Sequence, residues 1–179
     1  MRRCDWCLKD DLYIQYHDEE WGEVCKDDEK LFECLILEAF QAGLSWYTIL
    51  KKREGFRQAF KGFNPELISK FSEEDIQALL QNADIIRHRG KIEATIAGAK
   101  AFLEIKKEQS FSDFIWNGKD IHVNKLPDLK QTISKNQESD ILSKRLKAVG
   151  FKFVGSTTCY SFMQAIGMVN DHLDYCFKK

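Results

Sequence analysis

The chain has 179 residues, enough for one domain or for two small lobes sharing a core. A formal net charge of -1 argues against a generic polyanion binder, and a mean hydropathy of -0.42 with no long apolar run argues against a membrane protein. The N-terminal MRRCDWCLKDD carries two arginines with no apolar segment behind them, so no secretory signal is read and a cytoplasmic location is expected, where the six cysteines serve as metal ligands or small buried hydrophobes.

In chain order, residues 1–25 are rich in aromatics and read as an irregular tail. Asp27-Asp28 can cap a helix running through KLFECLILEAFQAG, with Gly43 ending it. Ser45 can cap the next, in which Trp46, Ile49, Leu50 and Arg53 recur at helical spacing. Asn64-Pro65 reads as a helix start with proline in the first turn, and Ser72 to Asp75 as a capping box ahead of Ile76, Leu79 and Leu80. Ile92, Ile96, Ala99 and Leu103 mark another helix, followed by a polar connector from Asn117 to Glu138. A helix over Asp140–Ala148 follows, which Gly150 can terminate. With two prolines and almost no strand signal, the expected fold class is all-α.

In GFKFVGSTT, Gly150 and Gly155 bracket four residues between two helices. Amides at the start of the second helix would point outward together, a seat for a phosphate, and Lys144, Arg145, Lys147 and Lys152 lie nearby. An ordinary αα-turn with a glycine C-cap has the same appearance. Helix-hairpin-helix glycosylases carry a similar hairpin, with a glycine where this chain has Phe153. Their bifunctional members place a Schiff-base lysine where it has Thr157, so the resemblance implies hydrolysis without a lysine adduct.

His172 and Cys176 have metal-ligand spacing and would share one face of a helical tail. The N-terminal segment can complete a four-ligand site in two ways: Cys4/Cys7/His172/Cys176, which the Cys-x-x-Cys spacing favours, or Cys4/His17/His172/Cys176. Either would staple the two ends of the chain with no open coordination position, a structural rather than catalytic metal.

The segment LFECLILEAFQA is apolar on nearly every side, so it should be a central core helix, and Glu38 lies inside it. A buried carboxylate is either paired, here with Arg53, Arg57, Arg87 or Arg89, or aimed into a pocket. Trp6, Tyr13, Tyr16, Trp21, Trp46 and Tyr47 flank it in sequence, and an aromatic box around a carboxylate suits a flat, cationic guest. Directly after the helix, Gly43 and Leu44 form a turn whose leucine could wedge into a duplex beside an extruded base.

The collinear blocks Tyr13-x-x-Tyr16-His17-Asp18-x-Glu20-Trp21-Gly22, Leu37-Glu38-x-x-Gln41-Ala42-Gly43-Leu44-Ser45-Trp46, Ile86-Arg87-His88-Arg89-Gly90-Lys91-Ile92, Gly150 to Gly155 and Cys159 to Ala165 cover essentially the whole chain, and they resemble the DNA-3-methyladenine glycosylase I family. The resemblance implies an all-α, two-lobed helix-hairpin-helix glycosylase, one domain over 1–179 with the hairpin motif at about 140–168, acting on double-stranded DNA that contains 3-methyladenine; a monomer is expected, as is usual for a small DNA-bound enzyme. It implies structural zinc (Zn2+) on Cys4, His17, His172 and Cys176, overriding the spacing preference for Cys7. Glu38 would read the amino edge of the flipped base, Tyr16 would help to orient it, Trp46 would stack on it, and Trp6, Tyr13 and Trp21 would close the pocket. Gly43 and Leu44 would occupy the vacated duplex position, while Gly150, Lys152 and Gly155 grip the backbone. The alternative is a non-enzymatic, zinc-stabilised helix-hairpin-helix DNA-binding module, which would have no use for a buried carboxylate in an aromatic box.

Overall fold

Asp27, whose side chain accepts the amide of Lys30, starts the helix around which the rest of the chain is arranged. The structure, a computed structural model, describes residues 1–179. Nine α-helices run in the order α1 (Asp11–Glu19), α2 (Asp28–Gln41), α3 (Trp46–Ala59), α4 (Pro65–Ile68), α5 (Glu73–Gln81), α6 (Arg89–Lys106), α7 (Phe111–Trp116), α8 (Gln137–Ala148) and α9 (Ser156–Ala165). The starts follow the capping chemistry read from the sequence: Ser45 accepts the Thr48 amide, Asn64 those of Glu66 and Leu67, and Ser72 with Asp75 forms a reciprocal capping box. Each such cap stabilises its helix by about 1 kcal/mol.

Helix α2 is the core helix expected of it, packing against α3, α6, α7 and α9. Leu31, Phe32, Leu35, Leu37 and Phe40 are all buried, and Phe40 meets Phe56 of α3 at 4.7 Å between ring centroids. Burying a side chain of this size contributes roughly 1.5–3 kcal/mol, so this seam outweighs the caps. No helix is long and apolar enough to cross a membrane.

Two expectations fail locally. Residues 1–25 are not irregular: Asp5–Cys7 form a 3-10 turn and Asp11–Glu19 form α1, started by Asp10, which accepts the amide of Tyr13. The inward face of α1 is made by Tyr16 and His17 rather than by aliphatic residues, so it lacks the usual apolar signature. The C-terminal tail, in turn, is not helical. A two-residue strand, β2 (Val169–Asn170), pairs in parallel with β1 (His122–Val123) of the connector. Beyond it, the Asn170 side chain accepts the His172 amide, and that side-chain turn competes with helix formation. His172 and Cys176 therefore meet across turns rather than on one helix face.

Candidate active site and metal centre

Four buried side chains from the two ends of the chain converge: Cys4, His17, His172 and Cys176. Their donor atoms all lie within 4.8 Å of one another. Cys4 Sγ is 3.7 Å and Cys176 Sγ 3.6 Å from His172 Nδ1, and Cys176 Sγ is 3.4 Å from His17 Nε2. Zn–S and Zn–N bonds of about 2.3 and 2.0–2.1 Å give tetrahedral S···N edges of about 3.5 Å, close to these three distances, so the donor set suits a four-coordinate ion. The far nitrogens are engaged as well. His17 Nδ1 meets Asp18 at 2.8 Å, Asp18 is held by Arg3 at 2.7–2.9 Å, and His172 Nε2 lies 3.2 Å from the Trp21 carbonyl. Burial lowers the pKa of both imidazoles, His172 to about 4, which keeps them in the neutral form a metal ligand needs. Gly22, at φ 84, lies against the His172 ring; a Cβ there would fall 2.8 Å from Nε2.

Cys7 is buried too, but its thiol donates to the Cys4 carbonyl at 3.1 Å within the 3-10 turn and lies outside the cluster. The spacing preference for Cys7 is thereby corrected: Cys-x-x-Cys here closes a turn, and His17 supplies the donor. Asp18 escaped the sequence reading, although a carboxylate directly after a candidate histidine ligand is the pattern that orients an imidazole.

Glu38, on α2, is buried, and its Oε2 has no hydrogen-bond partner. Trp46 Nε1, at the start of α3, is the only other buried side-chain nitrogen or oxygen left unpaired. No ion pair reaches Glu38. Arg53 is paired with Glu20, Arg57 with Glu33 and Glu54, and Arg89 with Glu73 and Glu93. The salt-bridge reading of Glu38 thus fails, and burial alone raises its carboxyl to about 8. Burial first and the Glu38 charge second raise the Tyr16 phenol; at Tyr13 burial is again the main cause, with Cys7 and then Glu38 adding to it.

The aromatics form two groups, Tyr16 with Trp46, and Trp6 with Tyr13, Tyr47 and Trp21. Tyr16 and Trp46 are 5.3 Å apart, Tyr13 packs on Trp6 at 4.9 Å and on Tyr47 at 5.4 Å, and Trp6 meets Trp21 at 5.0 Å. Trp21 in turn lies 4.6 Å from His172, so the second group rests directly on the metal-ligand cluster. Tyr16 and Trp46 also face a cleft of about 650 Å³ that runs past Cys34, Leu37 and Arg53. Glu38, Trp6, Tyr13 and Trp21 do not line that cleft.

Between α2 and α3, Gly43 takes φ 82 and the turn presents Leu44, 42% exposed, at its tip. Between α8 and α9, Gly150 takes φ 106 while Gly155 has an ordinary φ of -64, so only the first glycine requires the left-handed region. Phe153 takes φ 56 instead, the conformation a second glycine would have served, at a cost of about 1–2 kcal/mol. The turn is held by Ser143 Oγ donating to the Val154 carbonyl at 2.6 Å. Lys144, Lys147 and Lys152 are exposed around it, whereas Arg145 is turned inward to the Phe114 carbonyl and Lys91 is buried, so the basic clusters are less available than the sequence suggests. Asp171 is buried and accepts from Asn124, Tyr160 and Gln164 at 2.7–2.8 Å.

A mainly helical chain with a buried, unpaired carboxyl on its core helix is consistent with a base-excising enzyme, and residues 6–179 match the family described as methyladenine glycosylase. The chain belongs to that family. It is 52% identical over 178 residues to the DNA-3-methyladenine glycosylase of Haemophilus influenzae, covering 97% of this chain and 96% of that one. Among solved structures, it is similar to a 3-methyladenine DNA glycosylase I at TM-score 0.95 and 51% identity, over 98% of both chains. It is also similar to a glycosylase I variant in complex with 3-methyladenine, at TM-score 0.93 and 38% identity, over 100% of this chain and 98% of that one.

Proposed function

We propose that this protein removes 3-methyladenine from alkylated double-stranded DNA, as a monofunctional glycosylase of base-excision repair acting as a single copy. The observation that carries this reading is the pair of unsatisfied buried groups, Glu38 Oε2 and Trp46 Nε1, beside an otherwise aromatic wall. A buried group left unpaired costs roughly 1–3 kcal/mol, a cost that a bound guest with complementary donors and acceptors would offset. A binding module that gripped only phosphates would bear that cost without use, which disfavours the non-enzymatic alternative.

In this reading Glu38 receives the amino edge of the flipped base, Tyr16 helps to orient it, Trp46 stacks on it, and Trp6, Tyr13 and Trp21 close the pocket. Methylation at N3 makes the purine cationic, so it departs as a neutral base when the bond to C1′ breaks and takes that bond's electron pair. Water adds to C1′ of the oxocarbenium-like sugar and releases a proton, leaving an abasic site. The leaving group needs no proton from the enzyme, and the protein's contribution is to bind the extruded cation and the developing sugar charge. Gly43 and Leu44 fill the gap in the duplex, and Gly150, Lys152 and Gly155 of a helix-hairpin-helix grip its backbone. Thr157 offers no amine for a Schiff base, so no strand cleavage accompanies excision.

Cys4, His17, His172 and Cys176 would hold structural zinc, which would supply cross-linking of the chain's ends rather than chemistry. These ligands support the tail that carries Tyr13, Tyr16 and Trp21. Incubation with methylated duplex DNA tests the reading: free 3-methyladenine should appear with both strands unbroken until alkali is added. Intact duplex binding with no released base would instead support the non-enzymatic module.

A further inference from the structure

Lys91 is a buried lysine, 6% exposed, with no carboxylate partner. Its Nζ donates to the carbonyls of Phe40 at 2.8 Å and Ala42 at 2.6 Å, the point at which α2 ends. Terminal carbonyls of a helix have no partner within the helix and carry the negative end of its dipole, so an ammonium group there both satisfies and neutralises them. The turn beyond is otherwise lightly held: Leu44 N donates to the Gln41 carbonyl at 2.6 Å, and a Cβ on Gly43 would meet nothing within 4 Å. On the same turn of α6, the His88 ring accepts the Lys91 amide at 3.2 Å and packs edge-on against Phe153 at 5.8 Å. One helical turn, residues 88–91, thus joins the two exposed apolar tips, Leu44 and Phe153.

We infer that Lys91 is a positioning residue that clamps the turn after α2, holding Leu44 in the attitude needed to enter the duplex as the base leaves. The inference rests on the glycosylase reading for its consequence, but not for the clamp itself. The Lys91 ammonium does not touch the base, so its loss should affect extrusion from a duplex and spare the pocket.

Lys91→Met keeps the length and removes the charge. Single-turnover excision from duplex DNA should fall about tenfold, the scale of one lost charge-assisted hydrogen-bond set. Affinity for free 3-methyladenine, read from tryptophan fluorescence, should stay within about twofold of wild type. Leu44→Ala should show a similar loss, and the double variant should be no worse than the poorer single one. Hydrogen exchange at the Leu44 amide should rise in Lys91→Met while the α6 amides keep their protection, and Lys91→Arg should restore part of it. Unchanged Leu44 exchange, additive losses with Leu44→Ala, or a parallel loss of free-base affinity would each overturn the inference. The exchange measurement needs no substrate, so a wild-type protein that releases no base would count against the glycosylase reading and leave the clamp to be judged by exchange.

Discussion

Asp18 meets His17 Nδ1 at 2.8 Å and so turns the opposite nitrogen, Nε2, toward the thiol of Cys176 at 3.4 Å. Arg3 grips the same carboxylate at 2.7–2.9 Å, so the first residues of the chain orient a ligand that completes a cluster with its last. Removing a carboxylate that orients a metal-bound histidine typically lowers metal affinity by about 10–100-fold. Asp18→Ala should therefore surrender its zinc to a chelator at concentrations that leave the wild type loaded, and a competition titration checks it. Equal retention would show that the ring is held by packing alone.

Cys4→Ser and Cys176→Ser should each lower zinc content and melting temperature, whereas Cys7→Ser should leave stoichiometry unchanged, since the Cys7 thiol faces the Cys4 carbonyl and not the cluster. Metal analysis of the purified variants decides between them. The trio distinguishes a four-donor site containing His17 from one containing Cys7, and the outcome for Cys7 is the more informative arm.

Glu38 makes stability depend on pH with a definite sign. Its carboxyl is raised by burial from 4.5 to about 8. Below about pH 4.5 it is protonated in folded and unfolded chains alike, so it imposes no differential cost. Between about 4.5 and 8 the unfolded chain ionises while the folded chain keeps its proton, so stability falls as pH rises through that window. Above it the whole cost, several kcal/mol for a shift of this size, is present. Glu38→Gln should then melt with the wild type near pH 4 and above it near pH 9. A variant that melts lower than wild type at pH 9 would mean that Glu38 has an ionic partner after all.

Asp171 is a structural carboxylate by its surroundings. Its three donors tie the connector, through Asn124, to α9, through Tyr160 and Gln164. Asp171→Asn should cost about 1–3 kcal/mol in denaturant unfolding and leave excision per folded molecule unchanged, because it leaves one of those donors facing an amide NH2. A loss of excision at unaltered stability would reassign Asp171 to the sugar.

Much of the fold is legible in the sequence. Helix starts were readable at Asp27, Ser45, Asn64 and Ser72 because a capping side chain acts within three residues of itself. Helix α1 was not, because its buried face is aromatic and histidyl. The i, i+4 spacing of His172 and Cys176 would suit a helical tail, yet Asn170 captures the His172 amide and turns the chain. The burial of Glu38 followed from its apolar helix, but its lack of a partner could not, since Arg53, Arg57 and Arg89 find their carboxylates on distant segments. The cap that Lys91 places on α2 spans 49–51 positions and left no local signal.

The central claim is that Glu38, buried with Oε2 unpaired, recognises the extruded base. Single-turnover excision from a duplex carrying one 3-methyladenine, compared between wild type and Glu38→Gln at pH 7.5, a round value of about neutral chosen within the titration window, tests it most directly. A loss on the order of a hundredfold in the variant, with a melting temperature no lower than that of the wild type and zinc content intact, is the predicted result. Excision at the wild-type rate by a folded, zinc-loaded Glu38→Gln protein would contradict it.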